Sequence, residues 1–223
     1  KGSWVQKVFL GLALGTVFLG SMLAYLEKGL KKRLAYSTVS QVSYILFGLL
    51  LLNPAGMTGA FLHVIFHAVI KSGLFLCAGA IIFRTGKTRV DELRGIGKEM
   101  PVTIGCMTLL SLALIGIPPA SGFVSKWYLA VGSLSSETGF YSWLGPVVLL
   151  LSALLTAGYL LPITMKGFFP GEEESRKGFV RKEADSVMLV PILLLAVLAV
   201  VLGMFPGGLI SLINNIAQQL FQM

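Results

Sequence analysis

PVTIGCMTLLSLALIGIPPASGFVSKWYLAVGSLS, residues 101–135, decides how this chain folds. Its 35 residues carry one charge, at Lys126. As a single helix rising about 1.5 Å per residue, the stretch would run about 52 Å, well beyond a bilayer core of about 30 Å. Its middle, GIPPASG at 116–122, sets Pro118 and Pro119 between Gly116 and Gly122. Proline removes a backbone donor and clashes with the preceding turn, so regular helix stops there. The stretch is therefore either two helices joined by a hairpin or one discontinuous helix that crosses once.

The rest of the chain places this segment in a membrane. Of 223 residues, 55% are hydrophobic and 13% are charged, and the mean hydropathy is +0.83. A soluble domain carries about 25% charged residues. The apolar residues fall in runs near the length of about 20 that a helix needs to cross a bilayer. A β-barrel would show alternating segments of about ten residues instead. The expected fold is an all-α polytopic membrane protein with about six spans, near 7–26, 34–52, 60–83, 101–135 (broken), 141–168 and 186–205. The uncharged end, 206–223, is expected to continue or follow the last span as an amphipathic segment. We read 1–223 as one transmembrane helical domain and as the rear part of a longer protein.

Charge chooses between hairpin and single crossing. Loops 27–33, 84–100 and 166–185 hold fourteen of the eighteen basic residues. If 101–135 crosses once, all three fall on one side, and the positive-inside rule makes that side cytoplasmic. If it crosses twice, the third loop moves to the other side. The single crossing is expected, with Lys1 and Lys7 as a mild exception. This topology accounts for the net charge of +8, which leaves no reason to invoke nucleic acid.

Two lysines remain, Lys71 and Lys126, and both lie within spans. A lysine at the bilayer centre costs about 2.5–3.5 kcal/mol on insertion scales, so such residues mark functional sites by default. In FLHVIFHAVIKSGLFL, 61–76, the residues His63, His67 and Lys71 recur at i, i+4 and i+8 and share one helix face. Imidazole titrates near neutral pH, and an ammonium deprived of water gives up its proton more readily than one in solution. The row spans about 12 Å and reads as part of a proton wire. Lys71 lies 13 residues, or about 20 Å, from the loop at Arg84, too far to snorkel. Lys126 and His63 lie nearer an outer end, where snorkelling or capping is the structural alternative. Lys126 follows the proline break, where the free carbonyls of a half-helix favour a cation. Ser37, Gln41 and Tyr44 form a polar stripe on the second span that faces protein or water, or serves only to hold helices together.

Other chemistry is poorly supplied. Zinc takes at least three protein ligands, and a bis-histidine haem pairs histidines from two helices, whereas both histidines here share one. Cys77 and Cys106 lie in apolar runs and read as small buried residues. There is no nucleophile constellation and no phosphate-binding loop. No cofactor and no metal are expected in this chain.

KKRLAYSTVSQVSY (31–44), HVIFHAVIKSGLFLCAG (63–79) and GIPPASGFVSKWYLA (116–130), in this order, resemble the proton-translocating antiporter-like subunits. These occur in respiratory complex I, Mrp-type cation/proton antiporters and membrane-bound hydrogenases. The resemblance implies two inverted repeats, each with a broken helix, of which this chain is similar to the second. It implies that Lys126 is the terminal protonatable group of a half-channel opening outward, that Lys71 is the central lysine, and that His67 and His63 connect them. It implies partners: other membrane subunits and a front half that supplies the first half-channel. The expected function is H⁺ translocation across a prokaryotic cytoplasmic membrane, driven by redox chemistry in partner subunits to which any dehydrogenase label would belong. The alternatives are a Mrp-type Na⁺/H⁺ antiporter subunit and a non-conducting structural subunit.

Overall fold

The computed structural model describes residues 3–171 and 180–222, and no strand occurs among them. Helix α1 (Trp4–Leu26) is capped by Ser3, whose hydroxyl accepts from the Gln6 amide. Helix α2 spans Leu30–Leu50. Helix α3 (Pro54–Thr85) starts six residues before the expected span. Asn53 caps it by accepting from Gly56 N at 2.7 Å, and Pro54 sits where a missing N–H costs nothing. Gly86, at φ 70°, ends it in the left-handed conformation that glycine adopts most readily. After a 3₁₀ turn (Val90–Leu93) and the short α4 (Ile96–Glu99), the 101–135 stretch forms α5 (Pro101–Ile115) and α6 (Ser121–Leu134). Helix α7 is Phe140–Phe168, α8 is Ser186–Met204 and α9 is Gly207–Gln222.

Four of these, α1, α3, α7 and α8, are long and apolar enough to cross a membrane. Helix α2 has 21 residues but carries the polar stripe, and α5 with α6 supply the broken span. The fold is therefore that of a helical membrane protein.

Contacts along α3 settle the course of the broken span. Leu110 packs at Gly73, Ser125 bonds His63, Leu129 packs at Gly59, and Gly132 meets Gly56. As α5–α6 advances, its neighbours on α3 step steadily backward. The two halves thus run in one direction, antiparallel to α3. A hairpin would have brought α6 back toward Gly73. Gly116, at φ 94°, ends α5.

The basic segments meet at one end. Leu30 N donates to Thr88 O at 2.8 Å, and Val90 N donates to Lys28 O at 3.0 Å, joining loop 27–33 to loop 84–100. Gly95 N donates to Lys166 O at 2.9 Å, and Lys182 N donates to Glu99 O at 2.9 Å, adding the third segment. The Lys166 ammonium lies 2.6 Å from Asp91 and holds that carboxyl below the usual range. Lys1, Arg176 and Lys177 lie outside the described residues. Arg33, counted with a loop in the sequence, is instead a buried residue of α2 that donates to the backbone oxygens of Glu27 and Tyr159. At the opposite end, Gln6 donates to Leu50 O and Asn53 donates to Gly132 O.

The core follows α3. Leu62, Phe66, Ile70 and Leu74 pack with Met107 and Leu110 of α5 and with Ile192 and Ala196 of α8. Outward residues such as Leu12, Leu19, Leu154 and Leu194 stay exposed, as faces turned to lipid require. Lipid is as apolar as leucine, so close backbone approach carries helix association. Gly203 of α8 shows this at the break, where a Cβ would fall 2.2 Å from Pro119 O.

Candidate proton-carrying row at the broken helix

The break positions Lys126. Its side chain folds back from α6 and donates to Leu114 O at 2.7 Å and Ile115 O at 2.8 Å. These carbonyls close α5, whose last turn lacks intrahelical partners and carries the negative end of the helix dipole. The same nitrogen lies 5.5 Å from the centre of the Tyr44 ring, a cation–π distance. A cleft lined by Gly116, Phe123, Trp127, Pro146 and Leu149 reaches Lys126.

From Tyr44 the row continues along α3. The Tyr44 and His63 rings stack at 5.3 Å, and His63 and His67 stack at 6.0 Å. His63 Nδ1 is 2.9 Å from Ser125 Oγ of α6, and its Nε2 is 3.2 Å from Gln41 Oε1 of α2. One turn beyond His67, Lys71 is 5% exposed. It donates to Leu34 O at 2.8 Å and to the Ser37 hydroxyl. Among the described residues, no ion pair includes Lys71 or Lys126. Oxygen dipoles hold both nitrogens, with an aromatic ring beside each: Phe75 at 5.9 Å from Lys71 and Tyr44 at 5.5 Å from Lys126.

The structure thus brings together Lys71, Lys126, His63, His67, Ser37, Gln41 and Tyr44. Each member of the α2 stripe touches one of the protonatable groups. Pro118, Pro119, Gly116 and Gly122 form the break, and a Cβ on Gly122 would lie 1.9 Å from Ala113 O. Among the described residues, the buried polar atoms without a protein partner include His67 Nε2, Gln41 Nε2 and Ser121 Oγ. Such groups in native structures are commonly met by internal water. Ser125, the direct partner of His63, was not singled out in the sequence. Its signal was available, because it lies next to Lys126 on the helix that follows the break.

Comparison with known proteins decides the family. The family described as NADH:quinone oxidoreductase/Mrp antiporter, TM, matches residues 1–155. The chain belongs to this family. Among its antiporter-like relatives, NADH-quinone oxidoreductase subunit N of Desulforudis audaxviator is 41% identical over 211 residues, 90% of this chain and 41% of that protein. F(420)H(2) dehydrogenase subunit N of Methanosarcina mazei is 31% identical over 225 residues, 96% of this chain and 44% of that protein. The solved Mrp complex of a Dietzia species superposes with a TM-score of 0.84 at 25% identity, covering 97% of this chain and 47% of that one. Respiratory complex I of Thermus thermophilus also gives 0.84 at 25% identity, covering 97% and 44%. The antiporter-like chain described here spans less than half the length of these relatives.

Proposed function

We propose that this chain carries protons across a prokaryotic cytoplasmic membrane as part of an antiporter-like subunit in a redox-driven complex. One observation supports this above the others. Lys71 is buried and Lys126 part-buried in the bundle, neither has a counter-acid among the described residues, and His67, His63 and Tyr44 lie between them. Protonatable groups inside a membrane are costly and mark proton relays. The relatives' names place them in NADH-quinone and F(420)H(2) dehydrogenases, which supports redox subunits as the partners. Basic loops on one end support that end as the cytoplasmic face.

A second reading, Na⁺/H⁺ antiport, draws on the equal likeness to the Mrp complex. The two separate in vesicles that hold the native assembly containing this chain. Following internal pH with an electron donor, we expect driven proton uptake in Na⁺-free buffer. A strict need for a Na⁺ gradient, with no response to electron donors, assigns antiport instead. Sidedness is tested by cysteine labelling. Lys87→Cys is expected to react with an impermeant thiol reagent only from the cytoplasmic side, and Glu137→Cys only from the outside. The reverse pattern would invert the topology.

A further inference from the structure

At the basic end, where α1, α2, α7 and the 3₁₀ turn meet, lies a cleft of about 330 Å³. Its lining sets three cations, Lys28, Arg33 and Lys166, against one carboxylate, Asp91. That carboxylate is already taken, because the Lys166 ammonium lies 2.6 Å from it. Arg33 is 8% exposed, and among the described residues no ion pair includes it. Its guanidinium is held by backbone oxygens, with Nε and Nη2 donating to Glu27 O and Nη1 to Tyr159 O. A guanidinium has five N–H bonds. One on each terminal nitrogen is left uncommitted. Charge taken out of water is costly unless a counter-charge meets it. The cleft is two negative charges short of neutral.

The rest of the lining suits a lipid. Tyr25 and Leu26, both exposed, stand opposite Gly158 and Pro162. Gly158 keeps the cleft open, since a Cβ there would lie 3.0 Å from the Tyr25 ring. Pro162, inside α7, has no N–H to return to the Gly158 carbonyl one turn earlier. That oxygen is an acceptor without its usual helical donor. Exposed leucines continue both faces away from the basic end, Leu19 two turns before Leu26 and Leu154 one turn before Gly158. We propose that this cleft seats the headgroup of an anionic phospholipid of the phosphatidylglycerol class. The phosphate accepts from Arg33 and Lys28, in the forked manner that guanidinium favours. A glycerol hydroxyl donates to Gly158 O, and the acyl chains follow the leucines of α1 and α7. Basic pockets between membrane helices recognise such headgroups. A dissolved phosphate would use the cations and leave the apolar wall uncovered.

The test uses the native assembly in phosphatidylcholine vesicles. These hold a small fraction of phosphatidylglycerol with a diazirine high on one acyl chain. Cross-links made on illumination are mapped by mass spectrometry. Labelling is expected at Tyr25, Leu26 or residues 154–162, about tenfold or more above a phosphatidylcholine carrying the same diazirine. Each unit of charge near a membrane surface is worth about fivefold in affinity. Lys28→Glu, at an exposed residue, is therefore expected to cut the labelling about tenfold or more. Asp91→Asn removes the carboxylate of the cleft and is expected to raise it about fivefold, a gain that loosened packing does not produce. Equal labelling by the two lipids overturns the proposal, as does wild-type labelling in both variants. Loss of labelling on adding millimolar inorganic phosphate assigns the cleft to a dissolved anion instead. The outcome does not depend on what the histidine row carries.

Discussion

Lys126→Arg is expected to assemble normally and to lose driven proton uptake by about 100-fold or more, the span typical of positioned proton-transfer groups. Arginine keeps a positive charge and several N–H donors near the closing carbonyls of α5, Leu114 and Ile115. It does not give up its proton in proteins. A structural lysine would therefore be rescued by arginine, and a proton carrier would not. Lys126→Ala should show the same loss of uptake together with lower stability. It leaves the two carbonyls without their donor, at about 1–3 kcal/mol for each unsatisfied group. Lys71→Arg carries the same expectation, because Leu34 O and the Ser37 hydroxyl hold Lys71 in the same manner. Full uptake in both arginine variants, with assembly verified, would make the chain a structural subunit.

Gly122→Ala is expected to give the largest stability loss of any single methyl added to this chain. The new carbon would lie 1.9 Å from Ala113 O, a backbone atom that cannot rotate away. Gly203→Ala meets Pro119 O at 2.2 Å from the other side. Overpacking of this kind costs about 1–3 kcal/mol and occasionally more. Gly79→Ala is the control, since nothing lies within 4 Å of its added carbon. Alanine is the better helix former by about 0.5–1 kcal/mol, so this variant should be neutral or slightly more stable. Thermal unfolding of the three variants in one detergent checks the order. Equal midpoints for Gly122→Ala and Gly79→Ala would mean that the halves of the broken span do not touch as described.

Much of this architecture was written in local sequence. GIPPASG marked the interruption because proline and glycine act on their own backbone. Loop charge then implied a single crossing, which the stepwise partners of α3 show directly. The start of α3 was also legible, in the pair Asn53–Pro54, yet hydropathy alone placed it later because Pro54, Gly56, Thr58 and Gly59 blur the apolar edge. The row His63–His67–Lys71 followed from helical periodicity. Its cross-helix partners did not. Periodicity says which residues share a face, and nothing in it says that Gln41 meets His63 while Ser37 meets Lys71. Arg33 was misjudged for a related reason. Its neighbours Lys31 and Lys32 suit a solvated loop, and only the packing of α7 shows that its guanidinium reaches the Tyr159 carbonyl.

The two carbonyls that hold Lys126 have a consequence for how it would hand over a proton. An ammonium has three N–H bonds, and Leu114 O and Ile115 O take two of them. A neutral amine has two N–H bonds and one lone pair. Both forms can therefore keep the same two anchors, and only the third position changes between donor and acceptor. The nitrogen can be emptied and refilled at a fixed place, with little of the reorganisation that a freely swinging side chain would need. On the proposed reading, the end of a broken helix is a socket that would grip the carrier and leave its working corner free.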